Sequence, residues 1–264
     1  MIIGLCGQAG AGKDTVADFL VKNHGFVKVA LADPIKRAAK EFFAFTDTQL
    51  WGPSEERNKP DKRYPRQVPC GWSRAEGSAP FTCQYCGERT EDAVEMMERT
   101  CPARAFLTPR YALQQLGTEF GRYCYPNIWI NYALRVAKRL LEDSSVMYTQ
   151  QEGIVERIEQ TATGEWHRDD EPKGSIQGVA ISDVRFLNEV DAIRAAGGHV
   201  WKIERPGAGL VGTAGQHASE QEQNAIDRGK FASVLNNEDG PLEELESLVS
   251  KELSALRFIY PNQE

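Results

Sequence analysis

The chain has 264 residues, 41% hydrophobic and 26% charged, with 31 basic against 38 acidic side chains and a formal net charge of −7. That length can bury a sizeable core in one large domain. The acidic balance argues against a general nucleic-acid binder, and nothing approaches the roughly 18 consecutive apolar residues of a membrane span.

"MIIGLC" is a short apolar strand that runs into glycines without a charged leader, so no signal peptide is expected and the location read from the sequence is cytoplasmic. "DTVADFLVKNHG" has helical spacing, with Val16, Phe19 and Leu20 on one face and Gly25 as a stop signal. Between strand and helix, "GQAGAGKDT" fits the phosphate-loop pattern at Gly7, Gly12 and Lys13, with Gly10 and Ala11 inside the loop. Glycines let backbone N–H groups converge on phosphate oxygens at the positive end of a helix. Lys13 is expected on the β- and γ-phosphates. Asp14 stands where a hydroxyl is usual and is expected to hold Mg²⁺, with Thr15 giving its hydroxyl to the α-phosphate. The alternative is a tight turn in which Asp14 merely stabilises a helix N-terminus.

"FVKVALA" is a second strand. A helix follows, with Pro34 at its first position and Asp33 as either N-cap or substrate contact. Arg37, one turn on, either reaches a monophosphate or lies on a solvated face. Residues 46–108 read as loop-rich. Within them Arg57 opens a basic segment that is either solvated surface or a phosphate-facing loop. Cys70, Cys83, Cys86 and Cys101 are spaced C-x12-C-x2-C-x14-C, which suits a closed, structural Zn²⁺ site, with free thiols and disulfides as the alternatives. Residues 67–107 are therefore read as a metal-stapled insertion. "PRYALQQLGTEFGR" places Arg110, Gln114, Thr118 and Arg122 four apart on one helical face, for a nucleotide or for solvent. Trp129, in the next helix, stacks on a base or packs in the core.

Residues 146–175 read as a β-hairpin insertion around "TATG". "GVAISDV" is a core strand with Asp183 and Arg185 at its end, where open α/β sheets bind ligands. Asp183 is expected to hold magnesium and Arg185 the acceptor phosphate; a structural ion pair between them is the alternative. "HVWKIER" is a further strand, and Arg205 begins a glycine-rich loop suited to bringing positive charge to a transferring phosphoryl group. "ASVLNNE" carries Asn237, at the adenine edge or in an ordinary turn, and "PLEELESLVSKELSAL" is the final helix. Alternating strands and helices point to an α/β fold with a mainly parallel sheet.

"GQAGAGKDTVADFL", "ALADPIK", "LWGPSEERNKPDKRY", "TPRYALQQLGTEFGR", "ISDVRFLNEVDAIRAAGG", "IERP" and "HASE", in that order, resemble the phage-type deoxynucleoside monophosphate kinases, a branch of the P-loop nucleoside monophosphate kinase fold. The resemblance covers most of the chain outside 67–107 and 146–175. It implies one three-layer αβα P-loop domain over 1–264, transferring the γ-phosphoryl group of ATP to a deoxynucleoside monophosphate with Mg²⁺. Lys13, Arg205 and Asp183 would be its catalytic groups. It favours the phosphate-facing reading of Arg57, and it includes His217 and Glu220 without giving them a role. Two rivals remain: the same fold acting on another small phosphorylated metabolite, and a nucleotide-gated nucleic-acid binder using the cysteine insertion with Trp72 or Tyr85 as stacking faces. The implied partners are ATP and the monophosphate, with no membrane; base preference and a homodimer are left open.

Overall fold

The computed structural model describes residues 1–73, 80–156, 158–160, 166–168, 176–209, 222–223, 225–238 and 240–259. In chain order, β1 (Ile2–Cys6), α1 (Lys13–His24), β2 (Phe26–Ala30) and α2 (Asp33–Phe43) come first. Short elements follow: α3 (Asp47–Trp51), α4 (Ser54–Asn58), β3 (Asp61–Pro65), β4 (Trp72–Ser73), β5 (Phe81–Cys83), β6 (Arg89–Thr90), α5 (Ala93–Glu98) and β7 (Phe106–Leu107). Then come α6 (Pro109–Gln114), a π-helical segment Gln115–Arg122, α7 (Ile128–Glu142), β8 (Val146–Thr149), β9 (Gly153–Glu156), β10 (Ile158–Gln160) and β11 (Trp166–Arg168). The chain closes with β12 (Gly178–Val184), α8 (Leu187–Ala195), β13 (His199–Glu204), β14 (Ser233–Asn236) and α9 (Leu242–Ile259). Two compact units result: Met1–Arg37 with Phe120–Glu264, and Ala38–Glu119.

In the first unit five strands form a parallel sheet in the order β14-β13-β1-β12-β2. Such strands are covered on both faces, which is why "GVAIS" shows no polar alternation. Ala180 faces a core made with Val16, Ala17 and Leu20 of α1 and Val249 and Leu253 of α9. Val179 and Ile181 face the opposite core, with Ala133, Val136 and Ala137 of α7 and Val190 and Ile193 of α8. Helices therefore cover both faces of this sheet, as the α/β reading requires. Gly25 ends α1 in the left-handed region at φ 68°, its N–H donating to Leu20.

The second unit has its own small core of Ala39, Phe45, Leu50, Leu107 and Ala112. The stretch expected to be loop-rich instead holds short helices and strands, several only two or three residues long. Segments that brief show no periodicity in a sequence.

The helix expected after Thr108 starts where predicted, capped by Thr108 Oγ1 accepting from Tyr111 N–H at 3.2 Å. From Gln115 it widens into a π-helix. A wider turn breaks the four-residue register, so the single α-helical face expected for Arg110, Gln114, Thr118 and Arg122 is not maintained. Between α7 and β12, β8 pairs with β9 and β10 with β11, both antiparallel; "TATG" lies between the second pair. Among the described residues no helix is long and apolar enough to cross a membrane.

Candidate functional site

The loop between β1 and α1 is shaped by glycine. A β-carbon at Gly7 would lie 2.4 Å from the Ile203 carbonyl oxygen, and one at Gly12 would lie 2.5 Å from Asn237 Nδ2. Gly12 also sits at φ 100°, a region that L side chains avoid. The loop is braced from neighbouring strand ends. Asn237 Nδ2 donates to Ala11 O at 2.8 Å and Gly209 N–H to Ala9 O at 3.0 Å. Asn237, expected at the adenine edge, is thus tied to the loop backbone itself. Lys13 is buried and folds back, its ammonium donating to the carbonyls of Gly7 and, at 2.8 Å, Gln8. The first-turn N–H groups of α1, which have no acceptors within their helix, open toward the same loop.

Asp14 is exposed and pairs with Lys28 of β2 at 2.7 Å; the same ammonium reaches Asp18 at 3.1 Å. Desolvation raises the Asp14 pKa, but the bond and charge of Lys28 outweigh it, and the carboxyl is held below its ordinary value. Lys28 was not singled out in the sequence. It supplies a counter-charge to Asp14 from within the chain. Thr15 follows on the exposed side of α1.

All five strands of the sheet are parallel, so the ends of β1, β12, β13 and β14 lie on one edge. On β12 the pairing with β1 slips by one residue, from Gly4↔Ile181 to Cys6↔Val184. Asp183 lies in that bulge at φ 66°, a conformation costing a non-glycine residue about 1–2 kcal/mol. Bulges of this kind redirect a side chain at a strand end. The Asp183 carboxylate is 4.0 Å from the Arg185 guanidinium, and neither is more than about a third exposed. Next to it, Ser182 Oγ is buried without a hydrogen-bond partner among the described residues. Arg205 follows β13, exposed, its carbonyl accepting from Ala208 N–H at 3.1 Å. His217 and Glu220 lie outside the described residues.

Asp33 and Arg37 meet in one network. The Asp33 carboxylate is fully buried and accepts from Ala30 N–H at 3.0 Å and Tyr148 Oη at 2.9 Å. Arg37 donates from Nη1 to the Gln150 carbonyl at 2.9 Å and to Tyr148 Oη at 3.4 Å, and from Nη2 to Tyr132 Oη. Burial, then the nearby Asp33 charge, pushes the Tyr148 pKa far up, so the phenol stays protonated and donates. Neither tyrosine carries a signal in the sequence: Tyr132 is one partly buried aromatic of α7, and Tyr148 falls in the hairpin.

Arg122 is held by Glu189 at 2.5 Å and lies over the Phe186 ring, its Cζ 3.4 Å from the centroid. Glu189 is buried, which raises its pKa; its second oxygen accepts the N–H groups of Arg185 and Phe186 at 2.8 and 3.1 Å. Its carboxylate turns back over the start of α8 as an N3 glutamate does, the one local pattern that would have flagged it. Trp129 packs against the α7–α8 core.

The remaining expected contacts belong to the second unit. Arg57 donates to the Gly52 carbonyl at 2.8 Å, and Arg110 to Ser54 Oγ at 2.6 Å and to Asn58. Gln114 is exposed and Thr118 half-buried. The sulfurs of Cys70, Cys83, Cys86 and Cys101 all lie within 4.8 Å of one another, three of these residues being buried. Cys70–Cys86 and Cys83–Cys101 are each 3.9 Å apart, well beyond the ~2.05 Å of a disulfide. Tetrahedral zinc with bonds of ~2.3 Å would space its sulfurs by about 3.8 Å, so this cluster can bind zinc. Burial, with the neighbouring thiols, raises the pKa of Cys101 and takes that of Cys70 up to about 12. At Cys83 the N–H groups of Tyr85 and Cys86, with neighbouring thiols, overcome burial and bring it down to about 6.

A family model described as deoxynucleotide monophosphate kinase matches residues 1–60. A protein of Acanthamoeba polyphaga mimivirus named "Putative deoxynucleotide monophosphate kinase" is 30% identical over 236 residues, 89% of this chain and 89% of that protein. The crystal structure of TT1252 from Thermus thermophilus covers 97% of both chains at 15% identity and a TM-score of 0.38, a value that does not establish a shared fold.

Proposed function

This chain belongs to the deoxynucleotide monophosphate kinase family, and from that premise we propose that it transfers the γ-phosphoryl group of ATP to a deoxynucleoside monophosphate, giving the diphosphate. One observation carries the reading: a braced glycine loop with a buried lysine, on the same sheet edge as Asp183, Arg185 and Arg205. The loop N–H groups and Lys13 would cradle the donor phosphates, the ammonium leaving the Gly7 and Gln8 carbonyls for phosphate oxygens. Arg185 and Arg37 would hold the acceptor phosphate in line, and Arg205 would offset charge on the group in flight. Such chemistry rests on positioning and charge neutralisation and needs no protein nucleophile.

Magnesium fits the donor set. Asp183 offers a hard carboxylate oxygen in a bulge that re-aims it, beside a Ser182 hydroxyl that has no hydrogen-bond partner among the described residues, and Thr15 offers a second hydroxyl. When bound, the ion would neutralise charge on the β- and γ-phosphate oxygens. Asp14, already paired with Lys28, is the weaker candidate as ligand. The four-cysteine cluster would hold a structural Zn²⁺: four thiolates leave no open position for chemistry.

The test is ADP release from MgATP with each nucleoside and deoxynucleoside monophosphate, for the wild type and Lys13→Ala. Turnover with deoxynucleotides that the variant loses while staying folded is expected. Silence across the panel, or undiminished turnover in the variant, would refute the reading.

A further inference from the structure

An arginine that only supports structure commonly ends on a carboxylate. Arg37 is held differently. All of its hydrogen bonds among the described residues go to neutral acceptors: Tyr148 Oη, the Gln150 carbonyl and Tyr132 Oη. Nη1 donates twice and Nη2 once, and among the described residues Nε makes no hydrogen bond. What remains is the Nε–H and the second Nη2–H, the pair along the side of the guanidinium that forks onto two oxygens of a phosphate. The flat faces are also set. Cζ lies 5.6 Å from the Tyr132 centroid and 5.9 Å from that of Tyr148. A β-carbon at Gly153 would be 3.4 to 3.6 Å from Cζ, Nη2 and Nε alike, so the β8–β9 hairpin lays bare backbone over the guanidinium plane. Behind this, the buried Asp33 carboxylate accepts from Tyr148 and fixes its hydroxyl.

From this arrangement we infer that Tyr148 and Tyr132 are positioning residues of the acceptor site, which aim the unshared edge of Arg37 at the phosphate of the nucleoside monophosphate, and that the β8–β9 hairpin exists to bring Tyr148 to the arginine from one side while α7 brings Tyr132. The inference rests on the kinase reading above and adds to it the residues that set acceptor affinity. A charged donor held by three bonds on one end loses little freedom when its other edge binds. Cutting one bond loosens the fork without removing its charge. Tyr148 and Tyr132 themselves need not touch the nucleotide.

The experiment uses the full chain with Tyr148→Phe, Tyr132→Phe and Arg37→Lys, alone and combined. KM for each substrate is measured, together with equilibrium binding of dAMP, dCMP, dGMP and dTMP and the melting temperature. Each phenylalanine should weaken the acceptor about ten-fold, the scale of one hydrogen bond to a charged group, with KM for ATP unchanged. On the Arg37→Lys background the phenylalanines should cost nothing further, because the fork they aim is already gone. Tyr132→Phe leaves Asp33 its tyrosine partner, so it remains informative if Tyr148→Phe proves unstable. Unchanged acceptor affinity in Tyr132→Phe, equal losses for ATP and acceptor, or full additivity with Arg37→Lys would each overturn the inference. Wild-type protein that binds a deoxynucleotide without phosphorylating it would overturn the kinase reading alone. Wild-type protein that binds none would overturn both.

Discussion

Arg122 shows how far a residue's role can shift once its neighbours are known. The polar helical stripe leaves it facing a nucleotide or solvent; the fold gives it a buried glutamate, Glu189, and the face of Phe186. Removing one partner of a buried pair strands the other charge, so Arg122→Ala should cost about 3–5 kcal/mol in a urea titration. An exposed side chain would lose far less stability, and a change under ~1 kcal/mol would show that the pair contributes little to the fold. Asp61 gives a pH signature. The Arg63 guanidinium beside it, bonded through Nε and Nη2, holds its carboxyl well below the usual carboxylate range, with help from Gln49. A carboxyl with a lowered folded pKa stabilises above its unfolded value of about 4 and loses that contribution as pH falls. The stability advantage of wild type over Asp61→Asn should therefore be full at pH 6 and shrink steadily below pH 4. A difference independent of pH would show that packing, not charge, is responsible.

At the scale of elements, the glycine loop is the clearest case of sequence dictating shape. Gly12→Ala places a methyl group 2.5 Å from Asn237 Nδ2 in a left-handed conformation. It should cost about 1–2 kcal/mol from the backbone alone and weaken ATP binding more than it weakens the fold, because Asn237 must release Ala11. Equal ATP affinity in that variant, by calorimetry, would dissociate the loop from the nucleotide. The bulge at Asp183 and the π-helical turns after Gln115 have no comparable signature. The first is a one-residue slip in the pairing of β12 with β1, and the second is an eight-residue widening of a helix whose sequence keeps its ordinary spacing. The grouping of Cys83 and Cys86 with the other two cysteines was legible from their spacing, whereas the short strands β4, β5 and β6 around them were not.

For the molecule as a whole, the two units depend on different physics. The sheet unit buries continuous apolar strands between helices on both faces, while the unit Ala38–Glu119 has a small core and a separate cluster of cysteines packed with Trp72. Removing metal with a strong chelator should lower a calorimetric transition of the smaller unit by several degrees and leave that of the sheet unit in place. A thermogram insensitive to chelator, with no zinc in the purified protein, would return the cysteines to plain packing. By itself the sequence determined the parallel α/β alternation, the glycine loop between β1 and α1, the helix boundaries at Asp33 and Gly25 and the grouping of four cysteines. Each of those is written in local spacing or in a backbone conformation that only certain residues permit. Only the tertiary structure decided that Lys28 neutralises Asp14, that Glu189 claims Arg122, and that Tyr132 and Tyr148 frame Arg37. Those partners lie 14 to more than 100 positions apart, and no local pattern encodes which distant side chain a charge will meet when the chain closes.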